Sequence, residues 1–215
     1  MKNVLLVTVL GALLSPIAHA ATVQFGTAGV FSGCTNVANQ VAGCTANGNQ
    51  ISFGTDLAGN VGILLTYIGI PGSTMVNATT GASFGDIVFS CLGGGTGCAS
   101  QPIPLGLMLT INVTQTLPTA GGPTGIPSAS IVGAVSGVSN SGTVTWPANN
   151  TINIGVISYR IANNPLNLVP PSTSNGDTTV QGIVTDTTVP EPTTFAFIGS
   201  ALIAGVALAR RRRVA

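Results

Sequence analysis

Charge is what this sequence has least of. Its 215 residues include six basic and five acidic side chains, and the basic ones stand almost entirely at the ends. Lys2 opens the chain and Arg210 to Arg213 nearly close it, so the long middle keeps one cation, Arg160. One arginine cannot form the basic patch that neutralises phosphates, which excludes nucleic-acid binding. Histidine is scarcer still: His19, close to the amino terminus, is the only one. With no lysine and no histidine, the middle of the chain cannot assemble Ser-His-Asp, Cys-His, Ser-Lys or Schiff-base chemistry, nor a histidine metal site. A carboxylate pair of the glycosidase kind is the remaining option. Its candidates are Asp56, Asp86, Asp177 and Asp186. All four lie near Gly, Asn or Thr in turn-like stretches, where aspartate turns the chain without any chemistry. The expectation is a protein that is not an enzyme, with no catalytic residues, no cofactor and no metal.

The amino terminus reads as a removable address. Lys2 supplies a positive start, Val4 to Leu14 an apolar run, and Ser15-Pro16 a break. Ala18 and Ala20 flank His19 as the small residues that signal peptidase requires, which predicts cleavage before Ala21 and export through the Sec translocon. The alternative is a retained anchor, for which this run is short. His19 leaves with residues 1–20.

Four cysteines, Cys34, Cys44, Cys91 and Cys98, lie in the exported part. An even number in an oxidising compartment favours disulfides. Three pairings are open, and Cys34–Cys44 with Cys91–Cys98 is preferred because each pair brackets a loop that can fold back. The rival, a four-cysteine metal site, lacks the usual C-x2-C spacing.

Between the ends, strand signals dominate. Ile103 to Val113 alternates apolar and small or polar residues, which predicts a half-buried strand over that range. Similar runs are Thr22–Phe25, Gln50–Phe53, Gly62–Ile70, Asp86–Cys91, Ser130–Val135, Gly142–Trp146, Thr151–Ile161 and Thr178–Thr185. Within Thr151–Ile161 the phase slips between Val156 and Ile157, which predicts a β-bulge. Gly121-Gly122-Pro123 reads as a turn and Asn163–Gly176 as a long loop. Short strands, Gly-rich turns and no amphipathic helix predict an all-β protein, with an antiparallel β-sandwich ectodomain over 21–186. A closed barrel and a β-helix are the alternatives, the latter without any fixed repeat to support it.

The last residues form a third unit, 187–215. Pro190-Glu191-Pro192 holds the backbone extended. An uncharged, mostly apolar stretch follows over about residues 193–209, at the lower limit for a transmembrane helix. Arg210, Arg211, Arg212 and Arg213 come next, a block that stays cytoplasmic under the positive-inside rule. VPEPTT, an apolar span and RRRR, in that order, resemble the PEP-CTERM sorting signal. The resemblance covers Val189 to Ala215 and implies recognition by exosortase, a membrane-embedded cysteine transpeptidase that removes the span and transfers the body to an acceptor. It implies a Gram-negative bacterium that makes extracellular polysaccharide and biofilm, with transient anchoring in the inner membrane before release to the cell surface or matrix. Proteins with this tail share the tail and not the body, so no activity passes to residues 21–186. The alternative is a plain single-pass anchor without processing.

For the body, two loops, Thr55–Asn60 and Ser174–Asp177, offer oxygen ligands, but each carries too few carboxylates for calcium, so turns are the better reading. The sequons at Asn77, Asn112 and Asn149 read as chance matches. A structural or adhesive matrix component is the expected role. A carbohydrate-binding module is the runner-up, with Trp146 and Tyr159 as the rings that would stack on a sugar, although packing is the commoner use of a lone tryptophan.

Overall fold

Alternating residues broken by turn formers should build short antiparallel strands, and the computed structural model of the chain consists of little else. It describes residues 22–34, 44–55, 61–78, 80–92 and 98–187. The segments expected to be a signal peptide (1–20) and a sorting tail with its transmembrane helix, and Asp56, lie outside these residues. In chain order the strands are β1 (Thr22–Ser32), β2 (Thr45–Asn47), β3 (Gln50–Thr55), β4 (Val61–Ile68), β5 (Thr74–Asn77), β6 (Thr80–Cys91), β7 (Gln101–Pro102) and β8 (Met108–Leu117). They continue as β9 (Gly121–Gly125), β10 (Ala129–Val132), β11 (Ala134–Val135), β12 (Thr143–Thr145), β13 (Thr151–Ile154), β14 (Ile157–Ile161), β15 (Leu166–Asn167) and β16 (Asp177–Asp186). A 3-10 turn, Ser174–Gly176, leads into β16.

Among the described residues, two seven-stranded sheets and a small β7–β11 pair result. The first runs β15-β12-β10-β8-β1-β5, with β9 added beside β8, and the second runs β13-β14-β16-β6-β4-β3-β2. The pairings are antiparallel, and among the described residues neither order closes on itself, so this is neither a barrel nor a β-helix. Val23, Phe25, Leu109 and Ile111 of the first sheet share one apolar core with Ile63, Leu65, Phe84 and Val180 of the second. The period-two pattern explains the layering: in β8, Leu109, Ile111 and Val113 turn inward while Met108, Thr110 and Asn112 face out.

Several expected elements differ in the structure. The strand expected over Ile103–Val113 begins only at Met108 and runs on to Leu117. Pro104 cannot donate to a ladder, and Gly106, with φ of +76°, turns the chain so that Leu105 stands 55 % exposed against the alternation. The bulge expected at Val156 is a hairpin instead. Ile154 pairs with Ile157 across the two-residue turn Gly155-Val156, and Gly155 takes the positive φ (+59°) that such a turn requires. A hairpin turn and a bulge shift the apolar phase alike, which is why the sequence did not separate them. Gly121-Gly122-Pro123 belongs to strand β9 rather than to a turn, and the long loop over Asn163–Gly176 contains β15.

A bulge does occur, at a place the sequence did not flag. In the β6–β16 ladder, Gly85 faces Val180 and Ser83 faces Gln181, which leaves Phe84 without a partner. Gly85 has φ of +124°, and a Cβ there would come 2.5 Å from the Ile68 carbonyl oxygen, so glycine is required. The carbonyl of Phe84, free of the ladder, becomes an acceptor for one side chain from each sheet. The Tyr67 hydroxyl on β4 donates to it, and Thr27 Oγ1 on β1 donates to it at 2.5 Å. Thr27 Oγ1 also lies 3.1 Å from the Tyr67 hydroxyl and accepts from the Ile70 N–H at 3.1 Å. A second buried tyrosine repeats the device: Tyr159 on β14 donates to Gln115 Oε1 on β8 at 2.6 Å, and Gln115 Nε2 donates to the Thr119 carbonyl. Between them Phe25 meets Phe84 and Tyr159 edge-on, with ring centroids 5.7 and 5.3 Å apart.

Burial raises the Tyr67 phenol well above the usual tyrosine range, opposed by the Thr27 hydrogen bond and aided by the Asp86 charge; burial alone raises Tyr159. The unfolded chain releases these protons near pH 10 while the folded chain holds them, so their contribution is complete below about pH 10 and declines above it. Melting temperature should therefore fall as pH rises past about 10, and less steeply in Tyr67→Phe than in the parent. At neutral pH, Tyr67→Phe should cost about 1–2 kcal/mol through the lost buried hydrogen bond, read by urea unfolding.

Candidate functional site

The tail that carries the sorting features, residues 188–215, lies outside the described residues, but the strand from which it departs is well placed. β16 sits between β14 and β6, with Val184 opposite Thr80 and Asp186 opposite Ile157. Register pins the chain on both sides up to Val184 and on the β14 side up to Asp186. From there to Pro190 a fully extended backbone reaches at most about 14 Å. Pro190, Glu191, Pro192 and Arg210 to Arg213 themselves fall beyond the last described residue, Thr187. At the other end β1 begins at Thr22, one residue after the expected cleavage point; Ala18 and Ala20 lie outside the described residues.

The four cysteines form Cys34–Cys44 and Cys91–Cys98, with Cα atoms 5.9 and 5.5 Å apart. Each closes a loop at a strand end, after β1 and at the last residue of β6. With both pairs oxidised, no thiolate is left to hold a metal, and the described residues contain no cluster of three or more His, Cys, Asp or Glu. Ser174–Asp177 folds as a tight turn, with Asn175 in the left-handed region (φ 53°) and the Gly176 N–H donating to the Thr173 carbonyl.

Three of the four aspartates can be placed, all on the second sheet. Asp86 accepts from Thr179 Oγ1 at 2.7 Å. Asp177 stands two residues before Thr179 and so lies diagonally across the ladder from Asp86. Asp186 ends the same strand, about 30 Å from Asp177 at strand rise. Asp86 and Asp177 occupy an open outer sheet face rather than a cleft that excludes water. A hollow of about 390 Å³ is lined by Gly81, Ser83, Thr179, Gln181, Gly182 and Ile183 among others. Arg160 pairs with Ile183 at its margin.

The sugar-stacking expectation for Trp146 and Tyr159 does not survive. Trp146 is 2 % exposed and Tyr159 wholly buried. Trp146 is held by Asn164, which accepts from its backbone N–H (3.0 Å) and donates to its carbonyl (2.9 Å). Its indole N–H has no partner among the described residues. Tyr159 is committed to Gln115 and Phe25. The remaining body aromatics, Phe25, Phe31, Phe53, Phe84, Phe89 and Tyr67, are also buried. The reason is volume: a core drawn from short strands with abundant Gly, Ala and Thr needs every large ring to fill it. No local pattern marks Thr27 and Gln115 as the polar partners of this core, since neither lies near its tyrosine along the chain.

Compared with known proteins, residues 188–213 match the family model of the PEP-CTERM protein-sorting motif. The chain therefore carries that motif, as an exported protein sorted by way of an exosortase. No curated protein and no solved structure matches it.

If Trp146 is core, Trp146→Ala should lower stability by about 3–5 kcal/mol, measured by chemical unfolding of the disulfide-bonded body. A variant that keeps its stability would return the ring to the surface.

Proposed function

We propose that this chain is a non-enzymatic structural or adhesive component of the cell surface or extracellular matrix of a Gram-negative-type bacterium. The Sec translocon exports it, signal peptidase trims it before Ala21, and the span over about residues 193–209 holds it briefly in the inner membrane with Arg210 to Arg213 on the cytoplasmic side. An exosortase-like transpeptidase then breaks a peptide bond at Pro190-Glu191-Pro192 and passes the new carboxyl end to a nucleophile on an acceptor. The single observation that carries this reading is the sorting motif at residues 188–213.

The body supports the same role. A two-sheet domain with two disulfides suits an oxidising space. It has no histidine or lysine to activate a nucleophile, and Asp86 and Asp177 stand on an open face, so the work falls to its surface rather than to an active centre. Extracellular polysaccharide is the neighbour such a surface meets.

Intact mass of the protein recovered from its native cells tests the processing. The parent chain should end near Glu191, and a variant with Pro190→Ala, Glu191→Ala and Pro192→Ala should keep Arg210 to Arg213 and stay in the membrane fraction. Retention of the arginines by both would make this a plain anchored protein.

A further inference from the structure

The charges of the body are segregated by sheet. Strands β1, β5, β8, β9, β10, β12 and β15, which make up the first sheet, contain no Lys, Arg, Asp or Glu. Arg160, Asp86, Asp177 and Asp186 all belong to the second. A seven-stranded sheet wet on its outer side ordinarily carries charge there, which keeps the surface soluble and blocks unwanted pairing.

The outer face of the first sheet carries apolar side chains instead. Val30 is 41 % exposed, Met108 41 % and Val132 51 %. Register makes these three continuous. Met108 lies opposite Ser32 on one side and Ser130 on the other; Val30 and Val132 are two residues from those positions, so they flank Met108 diagonally. Diagonal neighbours stand about 7–8 Å apart, which gives an unbroken stripe across β1, β8 and β10. Around it the outward residues are short and neutral: Ala28, Ser32, Thr110, Ser130 and Thr145.

We infer that this outer face is a contact surface for a second copy of the same chain. A face that meets its own copy must be complementary to itself, and a neutral one can be dehydrated on both sides without stranding or opposing any charge. The other occupants ask for chemistry that is missing here. A membrane surface selects basic and aromatic side chains, and a sugar selects exposed rings; the described face has neither. The inference goes beyond the matrix reading and does not rest on it, since it uses the charge distribution and register of one sheet.

The test uses the full chain in cells that export it. A photo-reactive benzophenone side chain is placed at Val30 or at Val132, and at Gln181 on the second sheet as the control. Expected is an adduct of twice the chain mass from positions 30 and 132, joining first-sheet peptide to first-sheet peptide, with little from position 181. Adding Met108→Lys should cut that adduct roughly tenfold or more, because one uncompensated charge is then dehydrated on each copy. Export and disulfide formation of each variant are read from its mass. Should Met108→Lys fail to export, sedimentation equilibrium of the parent chain from native cells decides alone, and a monomer at all concentrations overturns the inference. So do equal adducts from position 181, or adducts at positions 30 and 132 that go only to another protein, to lipid or to polysaccharide. Because C-terminal processing is read separately, failure here leaves the sorting reading standing.

Discussion

One released carbonyl sets how the two layers meet. The bulge at Gly85 takes Phe84 out of the β6–β16 ladder, and a buried carbonyl without a partner would cost about 1–3 kcal/mol. Thr27 and Tyr67 both donate to it, one from each sheet. This fixes the distance and the register between β1 and the second sheet. Phe84 then lies edge-on to Phe25, and Gly182 leaves the room its ring occupies. Tyr159 with Gln115 forms the corresponding tie between β14 and β8. Apolar contacts alone would let two flat sheets slide; two buried hydroxyls with directional partners do not.

The same arrangement consumes every aromatic ring of the body. Rings that fill the interlayer are unavailable for stacking on sugars, so the described outer faces present short hydroxyl, amide and aliphatic side chains. The charges that remain fall on the second sheet, leaving the first neutral. The two faces of one small domain therefore differ in what they can meet: one is hydrated and weakly charged, the other free to be dehydrated.

The sorting tail follows directly on β16, the last strand of the body. β16 is an inner strand, paired with β6 as far as Val184 and with β14 as far as Asp186, so tension on the tail meets the β14 ladder first and both ladders two residues further in. A tail leaving an edge strand would be resisted by one.

Much of this was legible in the sequence. The all-β character followed from period-two alternation, which is local and survives in any sheet arrangement. Both disulfides followed from loop closure over short spans, and the tail from three motifs whose order is linear. Other features were not. The sequence could not tell the Gly155-Val156 hairpin from a bulge, because both shift the apolar phase by the same amount and only pairing separates them. It could not place Trp146 and Tyr159, because ring burial depends on which strands face each other across the core. Nor could it show that the charged and uncharged strands sort into different sheets, since β1, β8 and β10 become neighbours only through pairings tens of residues apart along the chain. The sequence by itself determined the strand content, the disulfides and the sorting tail, all properties of short range. Tertiary structure alone decided which rings are core and which face is neutral, because those depend on contacts that no local pattern encodes.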